Sequence, residues 1–274
     1  MNRRFASTAL GLAAVVAGLG VAAARPSRPE PARSQSRPSA AREQAYAANN
    51  VGVAWLEQYT YDKAVAEFER ALQLDASVSI ARVNLAIALM YAGRADEAMR
   101  EATTAAAEPG SRPQPHYVLG LLTKQRNQFD QARVHFERVL QLDPRDVATR
   151  VQLGQIHLQQ RRYADAVTLL RAALAEEPFN ATALYNLGLA LTRGGQASEG
   201  QQLLERFERL RGESYASTYG QAYLEQGRYA EAIVSNGTEV DLVDPATPDI
   251  ALTNVTEAVF AGTKRGAARE ATTR

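Results

Sequence analysis

The stretch ATALYNLGLALTRGGQASEG, residues 181–200, places Gly188 twelve positions before Gly200, with the turn pair Gly194-Gly195 between them. The arrangement recurs along the chain. Gly52, Ala86, Gly120, Gly154 and Gly188 lie 34 residues apart, and Gly220 follows after 32. Twelve residues beyond each stand Ala64, Ala98, Ala132, Ala166, Gly200 and Ala232. Val51, Leu85, Leu119, Leu153, Leu187 or Tyr219 precedes the first small residue. After the second, apolar residues recur at helical spacing, as in Ala132, Phe136, Val139 and Leu140. The spacing predicts pairs of amphipathic helices of about a dozen residues, joined by a tight turn and folded back antiparallel. Side chains at the crossing must be small for the backbones to approach to roughly 8–10 Å. One pair cannot bury its apolar face alone, so successive pairs stack into a continuous core.

These repeats resemble the tetratricopeptide repeat (TPR) family: residues 181–200 and QFDQARVHFERVLQLDP, residues 128–144, are close to its two half-patterns. Five full repeats are expected, near 45–78, 79–112, 113–146, 147–180 and 181–214, with a sixth first helix near 213–226. Pro144 and Pro178 match the end-of-repeat proline, whereas Ala76 and Gly212 depart from it. The resemblance implies an all-α fold, a right-handed superhelical solenoid of antiparallel helix pairs, over residues 45–233. It also implies that the first helices line a concave groove that holds an extended peptide or a partner helix. Counting along each repeat places Asn49 and Val53, Val83 and Ile87, Tyr117 and Leu121, Val151 and Gln155, and Tyr185 and Leu189 on the groove wall. The four-residue separation puts each pair on one helical face. Chaperone-binding members of the family have Lys and Asn at these places and clamp a C-terminal carboxylate; here only Asn49 is of that kind, so clamping there is not expected. The groove reads as apolar, with two tyrosines, and suits an amphipathic helix or a hydrophobic peptide. Tyr215, Tyr219 and Tyr223 fall at helical spacing on the sixth first helix and are expected to pack onto repeat 5.

The chain ends read differently. Asn2-Arg3-Arg4 is a positive start, Phe5 to Ala24 carries no charge, and Ala22-Ala23-Ala24 is a small-x-small site followed by Arg25-Pro26-Ser27. This is the layout of a secretory signal peptide over residues 1–24, cleaved after Ala24; an uncleaved membrane anchor is the other reading. Either predicts export, to a periplasmic or secreted location or to the membrane surface. Residues 25–44, with Pro26, Pro29, Pro31 and Pro38 and five arginines, are expected to be an extended linker. Past Ile233 the repeat pattern fails, and 234–274 reads as an irregular tail. Within it PDIALTNVTEAVFAG, residues 248–262, weakly resembles the segment that precedes FG-GAP-type β-propellers, with Asn254 and Leu252 departing from that pattern.

Thirty-one basic and 30 acidic residues give a formal net charge of +1. Without both ends, segment 45–263 has 20 basic and 27 acidic residues, a poor surface for nucleic acid. The absence of cysteine excludes thiolate catalysis, disulfides and lipobox attachment. There is no phosphate-cradling loop, nucleophile elbow or H-E-x-x-H sequence. His116, His135 and His157 lack metal-site spacing and are read as packing or surface residues. No catalytic residue, cofactor or metal is expected. The expected function is that of a non-catalytic exported adaptor with a protein or peptide partner. The alternatives are a self-associating envelope scaffold and the TPR half of a TPR/β-propeller protein. Membrane contact is expected only if the N-terminal segment is uncleaved.

Overall fold

The computed structural model describes residues 40–236 except 111, 212, 214 and 215. Among them lie ten α-helices, forming five consecutive pairs. The pairs are α1 (Ala40–Glu57) with α2 (Tyr61–Leu74), α3 (Ser79–Tyr91) with α4 (Ala95–Ala107), and α5 (Pro113–Gln125) with α6 (Phe129–Leu142). They continue with α7 (Val147–Gln159) and α8 (Tyr163–Glu176), then α9 (Ala181–Arg193) and α10 (Ala197–Leu210). The architecture is the expected all-α solenoid. The expected signal peptide, most of the linker, and the propeller-like segment 248–262 lie outside the described residues.

Each pair is set by its crossing. A Cβ on Gly52 would meet the Phe68 ring at 2.6 Å, and one on Gly120 the Phe136 ring at 2.7 Å. One on Gly154 would meet Leu170 at 2.7 Å, and one on Gly188 Leu204 at 2.8 Å. The facing residue comes sixteen positions later each time, and in the remaining repeat the corresponding residues are Ala86 and Ala102, both fully buried. A large side chain on the second helix is thus matched by glycine on the first, and a small one by alanine. Adding one methyl to a packed crossing of this kind costs about 1–3 kcal/mol.

The turns obey the same period. Tyr59, Gly93, Asn127, Arg161 and Gly195 have φ of 57°, 76°, 60°, 59° and 90°, all left-handed. The next residue in each case donates its N–H back five positions: Thr60 to the carbonyl of Trp55, Arg94 to Leu89, Gln128 to Thr123, Arg162 to His157 and Gln196 to Leu191. This closure satisfies a carbonyl at the helix end. Only two of the five turn residues are glycine, so the tertiary fold holds Tyr59, Asn127 and Arg161 in a backbone region that costs a side-chain-bearing residue about 1 kcal/mol.

Two expectations need correction. Helix α1 begins at Ala40, inside the region read as linker up to residue 44. Arg42 explains the extension: its Nε donates to Asp75 Oδ2 at 2.7 Å and its Nη2 to Ser77 Oγ at 2.6 Å, which ties the extra turn to the end of α2. The second correction is larger. The region near 213–226 forms no α-helix among its described residues; Tyr219 packs against the cluster of repeats 4 and 5 as expected, Tyr215 lies outside the described residues, and Tyr223 packs edge-on against Tyr91 at 5.2 Å. A lone first helix lacks an antiparallel second helix to bury its face. A dozen residues interrupted by Gly220 and ending at Gly227 are too few to be helical unaided. The chain instead runs back along the first helices, with one parallel bridge, Asn180 to Ser217, and one 3₁₀ turn, Arg228–Ala230.

Arg161→Gly is expected to raise stability by about 1 kcal/mol in urea unfolding, because glycine adopts this backbone without strain. Asp75 gives a pH prediction. The Arg42 guanidinium, followed by Ser77, holds its carboxyl down at about 2. Its contribution is therefore complete above the unfolded carboxylate value near 4 and is lost as pH falls toward 2. Asp75→Asn is expected to destabilise by about 1 kcal/mol at pH 7 and by only a small part of that at pH 2, where the carboxyl is half protonated, read from parallel unfolding curves.

Candidate functional site

The chain from Ala216 to Asn236, called the strap below, lies against the first helices in an order opposite to that of the repeats. At its start, Ser217 donates its N–H to the Phe179 carbonyl at 3.2 Å and accepts from the Ala181 N–H at 2.8 Å. The Tyr219 N–H donates to Thr182 Oγ1 at 2.8 Å. The Tyr117 hydroxyl, from α5, donates to the Gln226 carbonyl at 2.5 Å. Gly227 follows with φ 98°, and a Cβ there would lie 2.4 Å from Ala148 Cβ and 3.1 Å from the Tyr117 hydroxyl, so this position needs glycine twice over. Arg228 pairs with Asp146 at 3.0 Å and with Asp143, and the Tyr229 hydroxyl donates to Asp143 at 2.7 Å.

The far end is held by amides. Asn84 Oδ1 accepts from the Ile233 N–H at 2.7 Å while its Nδ2 donates to the Ile233 carbonyl at 2.8 Å. Asn50 repeats the pattern on Ser235, accepting its N–H at 2.9 Å and donating to its carbonyl at 2.8 Å. Asn49 Nδ2 adds a second donor to the Ile233 carbonyl at 3.1 Å and its Oδ1 accepts from Asn84 at 2.8 Å. Alternate strap residues are thus gripped at both backbone groups, as a neighbouring β-strand would grip them. Asn50 and Asn84 are one repeat apart, and the same position holds Val118, Gln152 and Asn186 in the later repeats. The groove positions read from sequence lie one residue earlier, so that reading picked Asn49 and passed over these amides. Their 34-residue recurrence was the signal that could have found them.

The ten sequence-derived groove residues divide accordingly. Asn49, Val53, Val83, Ile87, Tyr117, Leu121 and Val151 are buried; Gln155 and Leu189 are half-buried; Tyr185 is exposed. Strap residues Tyr223 and Ala230 share one apolar cluster with Val53, Val83, Ile87, Tyr117 and Leu121, so the strap completes the core that the first helices leave unfinished. Tyr185 instead leans on Phe207 of α10, ring centres 5.2 Å apart, on the last helix pair. Of the two tyrosines expected to line one groove, only Tyr117 meets the strap.

Burial sets the electrostatics. The Tyr117 hydroxyl is held well above its ordinary value, and Asp146 is pushed up by desolvation despite the hydrogen bond it accepts from the Thr149 N–H. Burial pulls all three histidines below the usual imidazole value. The His116 and His135 rings lie 6.4 Å apart on the first and second helices of one repeat. Among the described residues no group of three or more His, Asp or Glu could hold a metal ion, and no helix is long and apolar enough to cross a membrane.

Residues 56–122 and 125–178 match the family model described as tetratricopeptide repeat, and 160–236 match that of anaphase-promoting complex, cyclosome, subunit 3. The repeats between residues 56 and 178 are thus similar to tetratricopeptide repeats. No curated protein matches the sequence. Solved structures with a similar fold include MamA (41-end) from Desulfovibrio magneticus RS-1, at a TM-score of 0.57 and 14% identity, covering 64% of this chain and 98% of that one. Another MamA structure matches at 0.55 and 15%, covering 62% and 92%. YrrB, described as a TPR protein with an unusual peptide-binding site, matches at 0.52 and 19%, covering 61% and 86%.

Asn84→Ala is expected to leave the Ile233 N–H without its amide acceptor and the Ile233 carbonyl with Asn49 alone, a loss of about 3 kcal/mol of local stability. Hydrogen exchange at Ile233 and Ser235 should accelerate by about 100-fold while amides in α7 to α10 keep their protection.

Proposed function

We propose that this protein is an exported, non-catalytic TPR scaffold that grips an extended polypeptide by its backbone along the first-helix groove. The observation that carries the reading is the double hydrogen bonding of Ile233 and Ser235 by Asn84 and Asn50. Such contacts read the backbone and tolerate many sequences, while the Tyr91 face occupied by Tyr223 adds a place for an aromatic side chain. The groove's tyrosine, Tyr117, supplies a further donor to a backbone carbonyl. A partner segment takes the track of the strap. Because the strap is tethered, it competes at an effective concentration on the order of millimolar, so a partner must present a better segment or several contacts. A peptide-binding role is also the one stated for YrrB, which shares the fold. Export rests on the signal-like residues 2–24, and places the scaffold in the periplasm, outside the cell or at the membrane.

A second reading, self-association, draws on the last helix pair, α9 and α10, after which the described residues form no further α-helix and where Tyr185 is 42% exposed. Stacking of a second copy on α9 and α10 would cover it. Sedimentation at increasing concentration decides this: a dimer abolished by Tyr185→Glu supports stacking, and a monomer throughout removes it.

The groove reading is tested with the full chain and a fluorescein-labelled peptide of sequence 216–236. Gly227→Val is expected to loosen the strap, and the peptide should then bind in trans. Adding Asn50→Ala and Asn84→Ala should weaken that binding at least tenfold. No binding to a strap-loosened, still helical Gly227→Val variant would overturn the reading. Cell fractionation of the tagged native chain tests export separately, the expected place being the envelope or medium.

A further inference from the structure

The strap also roofs a cavity. Between α5, α7 and the strap lies a space of about 450 Å³, with Lys124, Gln152 and Gln155 on the helix side and Tyr219, Gln221 and Gln226 on the strap side. None of its lining residues is acidic. Lys124 Nζ donates to Gln152 Oε1 and Gln155 Oε1, each at 2.5 Å. Its third N–H has no partner among the described residues, and no described carboxylate lies within ion-pairing distance. The sequence has only three lysines, Lys63, Lys124 and Lys264, among its 31 basic residues. At this place it has the compact point charge of an ammonium rather than the broad fork of a guanidinium.

A partly buried cation without a counter-charge is costly, and most proteins pair it. Here the surrounding groups are neutral amides, which can turn their NH₂ toward an anion as readily as their oxygen toward the ammonium. A single cation flanked by amide donors matches a group of one negative charge. The volume, within the range of small-molecule sites, has ample room for a carboxylate-bearing ligand. We propose that this cavity is a ligand site for a carboxylate, held by the Lys124 ammonium and the side-chain amides of Gln152 and Gln155. Of the groove positions counted from sequence, it shares Leu121 and Gln155. It belongs to the state in which the strap is docked, so it stands whether or not an outside segment uses the groove. Desolvation pulls the Lys124 ammonium down to about 8, so at neutral pH the group is still charged and gains from an anion beside it. Tyr219 is the other titratable group on the lining.

The carboxylate has two sources, a free organic acid or an acidic side chain of a peptide, and one experiment separates them. The full chain is labelled with ¹³Cε-lysine, which gives three lysine signals, and is titrated at pH 7 with succinate and, separately, with N-acetyl-glutamate amide. N-acetyl-glutamine amide and matched sodium chloride serve as controls. A saturable shift of the Lys124 signal, at least tenfold tighter than with the neutral amide, is expected for one probe or both, and the responding probe identifies the source. Thermal shift gives the second readout. The responding carboxylate should raise the Tm of the native chain and not that of Lys124→Met, and Lys124→Met alone should melt no lower than native because it removes an unpaired buried charge. If neither probe moves the Lys124 signal, or if the native chain and Lys124→Met gain equally from carboxylate, the site is overturned. A Lys124→Met variant that melts several degrees lower also counts against it, marking the lysine as a brace between α5 and α7.

Discussion

Where Gly120 meets the ring of Phe136, the backbones of α5 and α6 are so close that one added methyl group would overlap the ring. The same contact recurs at Gly52, Gly154 and Gly188, and in repeat 2 the corresponding residues are both alanine. Everything else in the solenoid is arranged around these crossings. They fix how deeply each second helix nests against its first, and hence which side chains remain to stack on the next pair. The left-handed turn residues at the same 34-residue interval close each pair at a constant length. Where that residue is Tyr59 or Arg161 rather than glycine, packing elsewhere offsets a local backbone cost.

The first helices present another problem, which the strap solves. Asn49 and Asn84 are fully buried, and a buried amide needs partners for both its donor and its acceptor. They find them in one another and in the backbone of Ile233. The strap backbone in turn lacks a helix or sheet of its own, and its N–H and C=O groups are met by Asn50, Asn84, Tyr117 and Thr182. Ladder and strap each satisfy what the other leaves open. The same docking that fills the first repeats leaves a cavity beside Lys124, where the facing strap residues are polar.

The helix pairs were legible because close approach demands small residues and small residues can be counted. Gly188 and Gly200 are enough to place the turn between them, and five repetitions make the period plain. The fate of residues 216–236 was not legible in the same way. Gly220, Tyr223, Ala232 and the Gly227-Arg228 turn carry the half-patterns of a sixth repeat, and a pattern alone does not say whether a helix will have a partner to bury it. The tyrosine spacing held for Tyr219, against repeats 4 and 5, and failed for Tyr223, which is in contact with Tyr91 over a hundred residues away. The amide positions Asn50 and Asn84 were visible at the repeat interval but sat one residue past the wall positions counted for side-chain contacts, because polar residues there gain meaning only from the backbone they hold.

The amino-acid sequence by itself determined the helical pairs, their length, their turns and their stacking into a solenoid, since those follow from local periodicity and from the volume of residues that meet at fixed offsets. Tertiary structure alone decided what covers the first helices. That outcome depends on contacts such as Asn84 with Ile233 and Asn50 with Ser235, between residues about 150 and 185 positions apart, which no local propensity encodes. A segment with half the features of a helix became a strap because the buried amides of the groove and the unpaired backbone of the segment are both costly alone and inexpensive together.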